Sequence, residues 1–148
     1  MPNSPEINRK DFLNIFGLGA VALLASACLG GCGNKGGDPI PGASNVDFTL
    51  DLTAPGNAAL NDPATGFVYS PDRGVIVAKT TTGTYVAVQA PCTHQGTNVY
   101  FSPSQNRFIC PNHNAIFDLG GGVVSGPAPT GLKHYAVAQT GNSLRITG

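Results

Sequence analysis

Two short segments hold most of the side chains able to do chemistry: Pro91-Cys92-Thr93-His94-Gln95-Gly96 and Cys110-Pro111-Asn112-His113-Asn114-Ala115. Each offers one thiol and one imidazole, as Cys-x-His in the first and Cys-x-x-His in the second, with residues 95 to 109 between them. Two sulfur and two nitrogen donors suit three outcomes. They can hold one iron by sulfur and a second by nitrogen in a binuclear iron–sulfur centre, or surround a single zinc ion, or the cysteines can close a disulfide beside bystander histidines. Zinc sites more often pair Cys-x-x-Cys with His-x-x-x-His, so one sulfur and one nitrogen from each loop favours the binuclear centre. Gly96 and Pro111 fit tight loop backbones running close to inorganic sulfide. His134, the only other histidine, stands in a strand-like run beside Tyr135 and is expected on the surface.

The elements that must position these loops read as strands. Val46, Phe48, Leu50 and Leu52 alternate with polar residues, the period of two of a half-buried strand. Further strand-like runs cover 66–70, 74–80, 84–90, 98–101, 107–109, 115–118, 122–124, 133–139 and 143–147, with Thr81-Thr82-Gly83 as a tight hairpin turn. No segment beyond the N-terminal region keeps a helical period over three turns. The expected class is therefore all-β, with stacked antiparallel sheets or a partly open barrel. A hairpin over 99–109 would set its two ends side by side and bring the two loops face to face.

Composition agrees. The 148 residues carry 8 Lys+Arg against 8 Asp+Glu, with 20 Gly and 12 Pro, which suits one small turn-rich domain and excludes coiled coils and helical solenoids. With zero net charge, no nucleic-acid partner is expected. There is no Trp, and 7 Phe and 4 Tyr make a modest core, so cross-links would help the domain stay folded.

The N-terminus reads as an address. Arg9 and Lys10 precede a mainly apolar run from Phe12 to Leu29, the layout of a signal peptide over residues 1–31. Its close, Leu29-Gly30-Gly31-Cys32, resembles the lipobox of bacterial lipoproteins, which implies Cys32 as a lipid anchor; Ala25-Ser26-Ala27-Cys28 is a weaker match, and a retained N-terminal helix is the alternative. One acyl chain binds a membrane only marginally, so the anchor would depend on several. Asn8-Arg9-Lys10-Asp11-Phe12-Leu13 is similar to a twin-arginine export signal with Lys10 in the second arginine position. Such a route would let a protein cross the membrane folded around its metal. Residues 32–44, rich in Gly and Pro, are expected to be a flexible lipid-anchored tether, with the folded domain over 45–148.

Cys92-Thr93-His94-Gln95-Gly96, Cys110-Pro111-Asn112-His113 and a third segment, Gly126-Pro127-Ala128-Pro129 followed by Leu132, together resemble the Rieske iron–sulfur proteins over most of the span from Phe67 to Thr147. The resemblance implies stacked antiparallel sheets with two cluster-binding loops and a proline loop over the cluster. It also implies one Rieske-type [2Fe-2S] cluster, with Cys92 and Cys110 on the buried iron and His94 and His113 on the outer, reducible iron. Respiratory-type members carry a further Cys in each box, joined as a disulfide; here those positions are Thr97 and Asn112. Such members also place a Ser and a Tyr after the second His ligand as donors to sulfur, where this chain has Ala115 and Phe117. Losing hydroxyl donors disfavours the extra electron and lowers the potential.

The chain shows no nucleotide-binding glycine motif and no supported Ser/His/Asp set. A Rieske oxygenase subunit would need two further His and a carboxylate for a mononuclear iron, and only His134 is free. The expected role is one-electron transfer by an exported, membrane-tethered periplasmic or cell-envelope lipoprotein with no substrate-transforming site of its own. Its implied partner is a redox protein, such as a cytochrome or an oxidoreductase subunit, with quinol as a further candidate. A stand-alone ferredoxin-like carrier and a structural zinc module are the alternatives.

Overall fold

The structure is a computed structural model that describes residues 38–148; the expected signal segment and Cys32 lie outside the described residues. Ten strands follow in order: β1 (Asp47–Asp51), β2 (Phe67–Tyr69), β3 (Val75–Lys79), β4 (Tyr85–Gln89), β5 (Tyr100–Ser102), β6 (Arg107–Ile109), β7 (Ile116–Phe117), β8 (Val123–Ser125), β9 (His134–Thr140) and β10 (Ser143–Thr147). Each falls on a run expected from the sequence, within two residues at either end. A larger sheet has the order β1-β10-β9-β4-β3-β2, a smaller one the order β5-β6-β7-β8, and every pairing is antiparallel. The smaller sheet is the chain between β4 and β9.

Strand β3 shows why the sheets meet as they do. Val75, Ile76, Val77 and Ala78 are all at most 1% exposed, a continuous apolar run that a strand covered on both faces requires. Ile76 and Ala78 join Val88, Phe101, Phe108 and Phe117 in a cluster toward the smaller sheet, while Val75 and Val77 join Leu60, Ala87, Tyr135, Leu144 and Ile146 on the opposite face. Cys92 and Cys110 lie in the first of these clusters. The ligand-bearing loops are thus extensions of a packed core.

One element had no signal in the sequence. A 3-10 helix over Pro55–Leu60 begins with Pro at its first turn and buries Leu60 to 1% exposure. Six residues hold too little periodicity to mark it, and only the contact of Leu60 with the sheet gives it a reason to form. The expected tether also needs correction at its end. Ile40 and Ala43 accept hydrogen bonds from Gln89, Lys133 and Tyr135, so the ordered body starts before Asn45. Carbonyls that find buried donors hold even a Gly/Pro-rich segment in place.

Local turns set the acid response. Hydrogen bonds from Thr53, from Ala64 N–H and Thr65, and from Ser70 and Gly74 N–H hold the carboxyls of Asp51, Asp62 and Asp72 below their ordinary value of 3.8, and Arg145 does the same for Asp47. A carboxyl lowered in the folded state adds stability above its unfolded pKa and loses it as pH falls through the folded value. Thermal melts should hold a level midpoint from neutral pH down to about 5 and fall below about 4. A midpoint rising through that acid range would contradict this.

Candidate metal centre

The two ligand loops repeat one backbone design. In the first, Cys92 N–H donates to Thr97 C=O (2.9 Å) and Gly96 N–H donates to Cys92 C=O (2.8 Å). In the second, Cys110 N–H donates to Ala115 C=O (2.8 Å) and Asn114 N–H donates to Cys110 C=O (3.0 Å). The offsets are the same, and so is the backbone at the fourth residue after each cysteine: Gly96 and Asn114 both have positive φ, 76° and 55°. Gly has no steric penalty there and Asn a small one, so the residue types make the turns. The β5–β6 hairpin, with Tyr100 opposite Ile109, brings the loops together as its ends.

The cysteines come together below and the histidines above. Cys92 and Cys110 are free, and 0% and 2% exposed. Burial pushes the Cys92 thiol up, the neighbouring Cys110 adds to that, and the N–H groups of His94 and Gln95 pull the other way by donating to its sulfur. Those two N–H groups are donors aimed at a sulfur that would gain electron density on reduction. The rings of His94 and His113 stand 4.7 Å apart, edge to face at 72°. His94 is half-buried, while His113 is exposed. His134 is exposed on β9, as expected.

A third segment covers the pair. Ala128 and Leu132 enter the same cluster as the cysteines, Leu132 N–H donates to Gly121 C=O, and Thr93 Oγ1 donates to Thr130 C=O at 2.7 Å. Gly126, at φ 99°, runs so close to the second loop that a Cβ would stand 2.6 Å from Ala115 Cα. Asn112, at one of the two positions that lack the disulfide, donates from Nδ2 to Gln95 Oε1 across the loops at 3.3 Å. Ala115 and Phe117 are fully buried without a hydroxyl. Thr93 is 2% exposed, so Thr93→Val should remove its bond to Thr130 at constant shape and cost about 0.5–1.5 kcal/mol. Urea unfolding measures it, and a change under about 0.5 kcal/mol, the usual range of inert surface substitutions, would contradict the assignment.

This donor set fits a binuclear iron–sulfur group. Among the described residues, His94 Nδ1 is the one buried side-chain nitrogen or oxygen without a hydrogen-bond partner, and a metal would satisfy it. Two free thiols close together suit an iron with bridging sulfide. Among the described residues no three His, Cys, Asp or Glu side chains converge on one point, as a tetrahedral zinc ion would need.

A sequence model of the Rieske [2Fe-2S] domain matches residues 56–136. The chain belongs to the Rieske family. The Rieske domain carries a [2Fe-2S] cluster of that type. The chain is 33% identical to the cytochrome b6-f complex iron-sulfur subunit of Trichodesmium erythraeum over 88% of its own length and 79% of that subunit's. It is 32% identical to the chloroplastic iron-sulfur subunit 1 of the Nicotiana tabacum complex, over 86% of this chain and 60% of that one. It thus spans about 60% of the length of several curated relatives. The plasma membrane Rieske protein PetC3 from Synechocystis PCC 6803 superposes with a TM-score of 0.55 at 28% identity, over 68% of this chain and 99% of that one. The ferredoxin of carbazole 1,9a-dioxygenase from Nocardioides aromaticivorans IC177, at 21% identity and a TM-score of 0.50, shares the fold over 71% of this chain and 98% of its own.

Proposed function

We propose that this chain is a one-electron carrier whose cluster is held by Cys92 and Cys110 at the inner iron and by His94 and His113 at the outer iron. The observation that carries this reading is two adjoining buried thiols together with a close pair of rings, one of which presents an unpartnered buried nitrogen. When bound, the cluster supplies a site that accepts and gives up a single electron. The protein does the rest. Its paired loops fix the donors, the apolar core around Cys92 and Cys110 excludes water, and the exposed ring of His113 leaves one edge of the site open to a partner. Electron paramagnetic resonance of dithionite-reduced protein, with iron and acid-labile sulfide counted, tests it. A mixed nitrogen and sulfur set gives a lower average g than an all-thiolate cluster, and a colourless protein with zinc would sink the reading.

The partner is a redox protein that docks at the tip where Gln95, Asn112 and Pro127, none of them a charged residue type, are exposed beside His113. The curated relatives are named as cytochrome b6-f subunits, which supports a membrane oxidoreductase as that partner, with quinol as a candidate reductant. Cys32 would tether the domain to the cell-envelope membrane. Among the described residues no helix is long and apolar enough to cross a membrane. Co-purification with haem-bearing subunits separates this assembly from a stand-alone carrier.

The potential follows from the buried methyl and phenyl at Ala115 and Phe117. With backbone N–H groups and no hydroxyl donating at those places, a redox titration should fall well below the top of the Rieske span, roughly −150 to +300 mV. A value near the upper limit would defeat that argument.

A further inference from the structure

Residues 40–43 cross the start of the first ligand loop and are fastened at both ends. Ile40 N–H donates to Thr93 C=O at 3.4 Å, and Gln89 Nε2 donates to Ile40 C=O at 2.8 Å. At the other end, Ala43 C=O accepts from Tyr135 Oη and Lys133 Nζ, each at 2.9 Å. Between these points Gly42 lies so close to the body that a Cβ would meet Lys133 Cβ at 2.7 Å and Gln89 Oε1 at 2.9 Å. The Ile40 side chain in turn fills the space beside Gly96, where a Cβ would stand 2.9 Å from its Cδ1.

Gln89 is 1% exposed and joins three parts of the site. Besides Ile40, its Nε2 donates to Pro91 C=O at 2.8 Å, and its Oε1 accepts from Lys133 N–H at 3.3 Å. Pro91 leads into Cys92, and Lys133 follows Leu132 at the end of the proline segment. A buried amide is costly unless its bonds are made, and here they tie the crossing segment, the first loop and the cover together. The carbonyl that Ile40 holds belongs to Thr93, which lies between Cys92 and His94 in the chain.

We propose that residues 40–43 form a strap, latched by Gln89, that positions the first ligand loop and ties it to the end of the proline segment. This rests on the reading that Cys92 and His94 hold the cluster. Gln89 and Ile40 act through the loop backbone, so they are positioning residues. The strap also ends the tether at the cluster loop, so any anchor upstream reaches the domain beside its redox site.

The test uses the full chain. Gly42→Val drives a side chain into Lys133 and Gln89 and lifts the strap; Ile40→Ser removes its apolar contact, and Ile40→Val is the conservative control. Bleaching of the visible absorption under a chelator should run about tenfold faster in Gly42→Val, the factor equal to one lost buried hydrogen bond, several-fold faster in Ile40→Ser through the lost apolar contact, and stay near the unaltered rate in Ile40→Val. Amide exchange at Cys92 and Gly96 should accelerate with it, while Val77 and Leu144 in the large sheet keep their protection. Bleaching and loop exchange unchanged in both Gly42→Val and Ile40→Ser would overturn the strap. Were the unaltered protein free of iron, the cluster reading would fail, and exchange at Cys92 and Gly96 would still decide whether the strap holds the loop.

Discussion

Replacing Cys110 by serine should leave a protein that folds, yet binds almost no iron and shows no visible absorption. A serine hydroxyl keeps the shape but is too weakly acidic to give the anionic donor that iron needs, so one iron loses half of its protein ligands. Cys92→Ser should do the same, because the two thiols lie in one apolar cluster and neither has a substitute among the described residues. The large sheet should survive, since Leu50, Val77, Tyr135, Leu144 and Ile146 pack in a separate cluster on its other face. Far-UV circular dichroism should therefore stay near that of the unaltered chain, while the melting midpoint falls because the unfolding free energy loses the linkage to the cluster, about 4 kcal/mol if ligand is present at a thousand times its dissociation constant. Iron and sulfide analysis reads the result. A serine variant that keeps two irons per chain would remove the sulfur half of the assignment.

The second large effect belongs to the cover. Gly126→Val should cost about 3 kcal/mol, combining a residue forced to φ 99° with a side chain driven into the Ala115 backbone. Neither partner can yield easily. Ala115 is 0% exposed and its carbonyl accepts from Cys110 N–H, so pushing on it disturbs the second ligand loop. The variant should unfold at lower urea and lose its cluster to a chelator faster than the unaltered chain. Stability within about 0.5 kcal/mol of the unaltered chain, the usual range for inert surface changes, would show that the cover does not press on that loop.

These two positions illustrate different degrees of legibility. The cysteines were evident because a thiol and an imidazole at short spacing, given twice, is a chemical pattern independent of the fold. Gly126 was visible only as part of a Pro-rich segment, and its contact with Ala115 is a matter of distance in space. The missing disulfide was readable at Thr97 and Asn112, whereas the Asn112–Gln95 hydrogen bond between the loops was not.

What the sequence determined by itself is local in origin. Alternation of apolar and polar residues marked β1, because a strand's side chains repeat every two residues whatever lies across from it, and short apolar or β-branched runs between turn residues marked the others. The turns around Gly96 and Gly83 followed from residue types that tolerate positive φ. The tertiary structure alone decided that the His94 and His113 rings stand edge to face, that Leu60 closes a face of the sheet, and that a segment expected to hang free is bound to the body. Those facts rest on partners far apart in the chain, such as Gln89 with Ile40 or Tyr135 with Ala43, 49 and 92 residues away. A carbonyl in a Gly/Pro-rich stretch carries no mark of the distant donor that will claim it; that donor exists only once both sheets have packed.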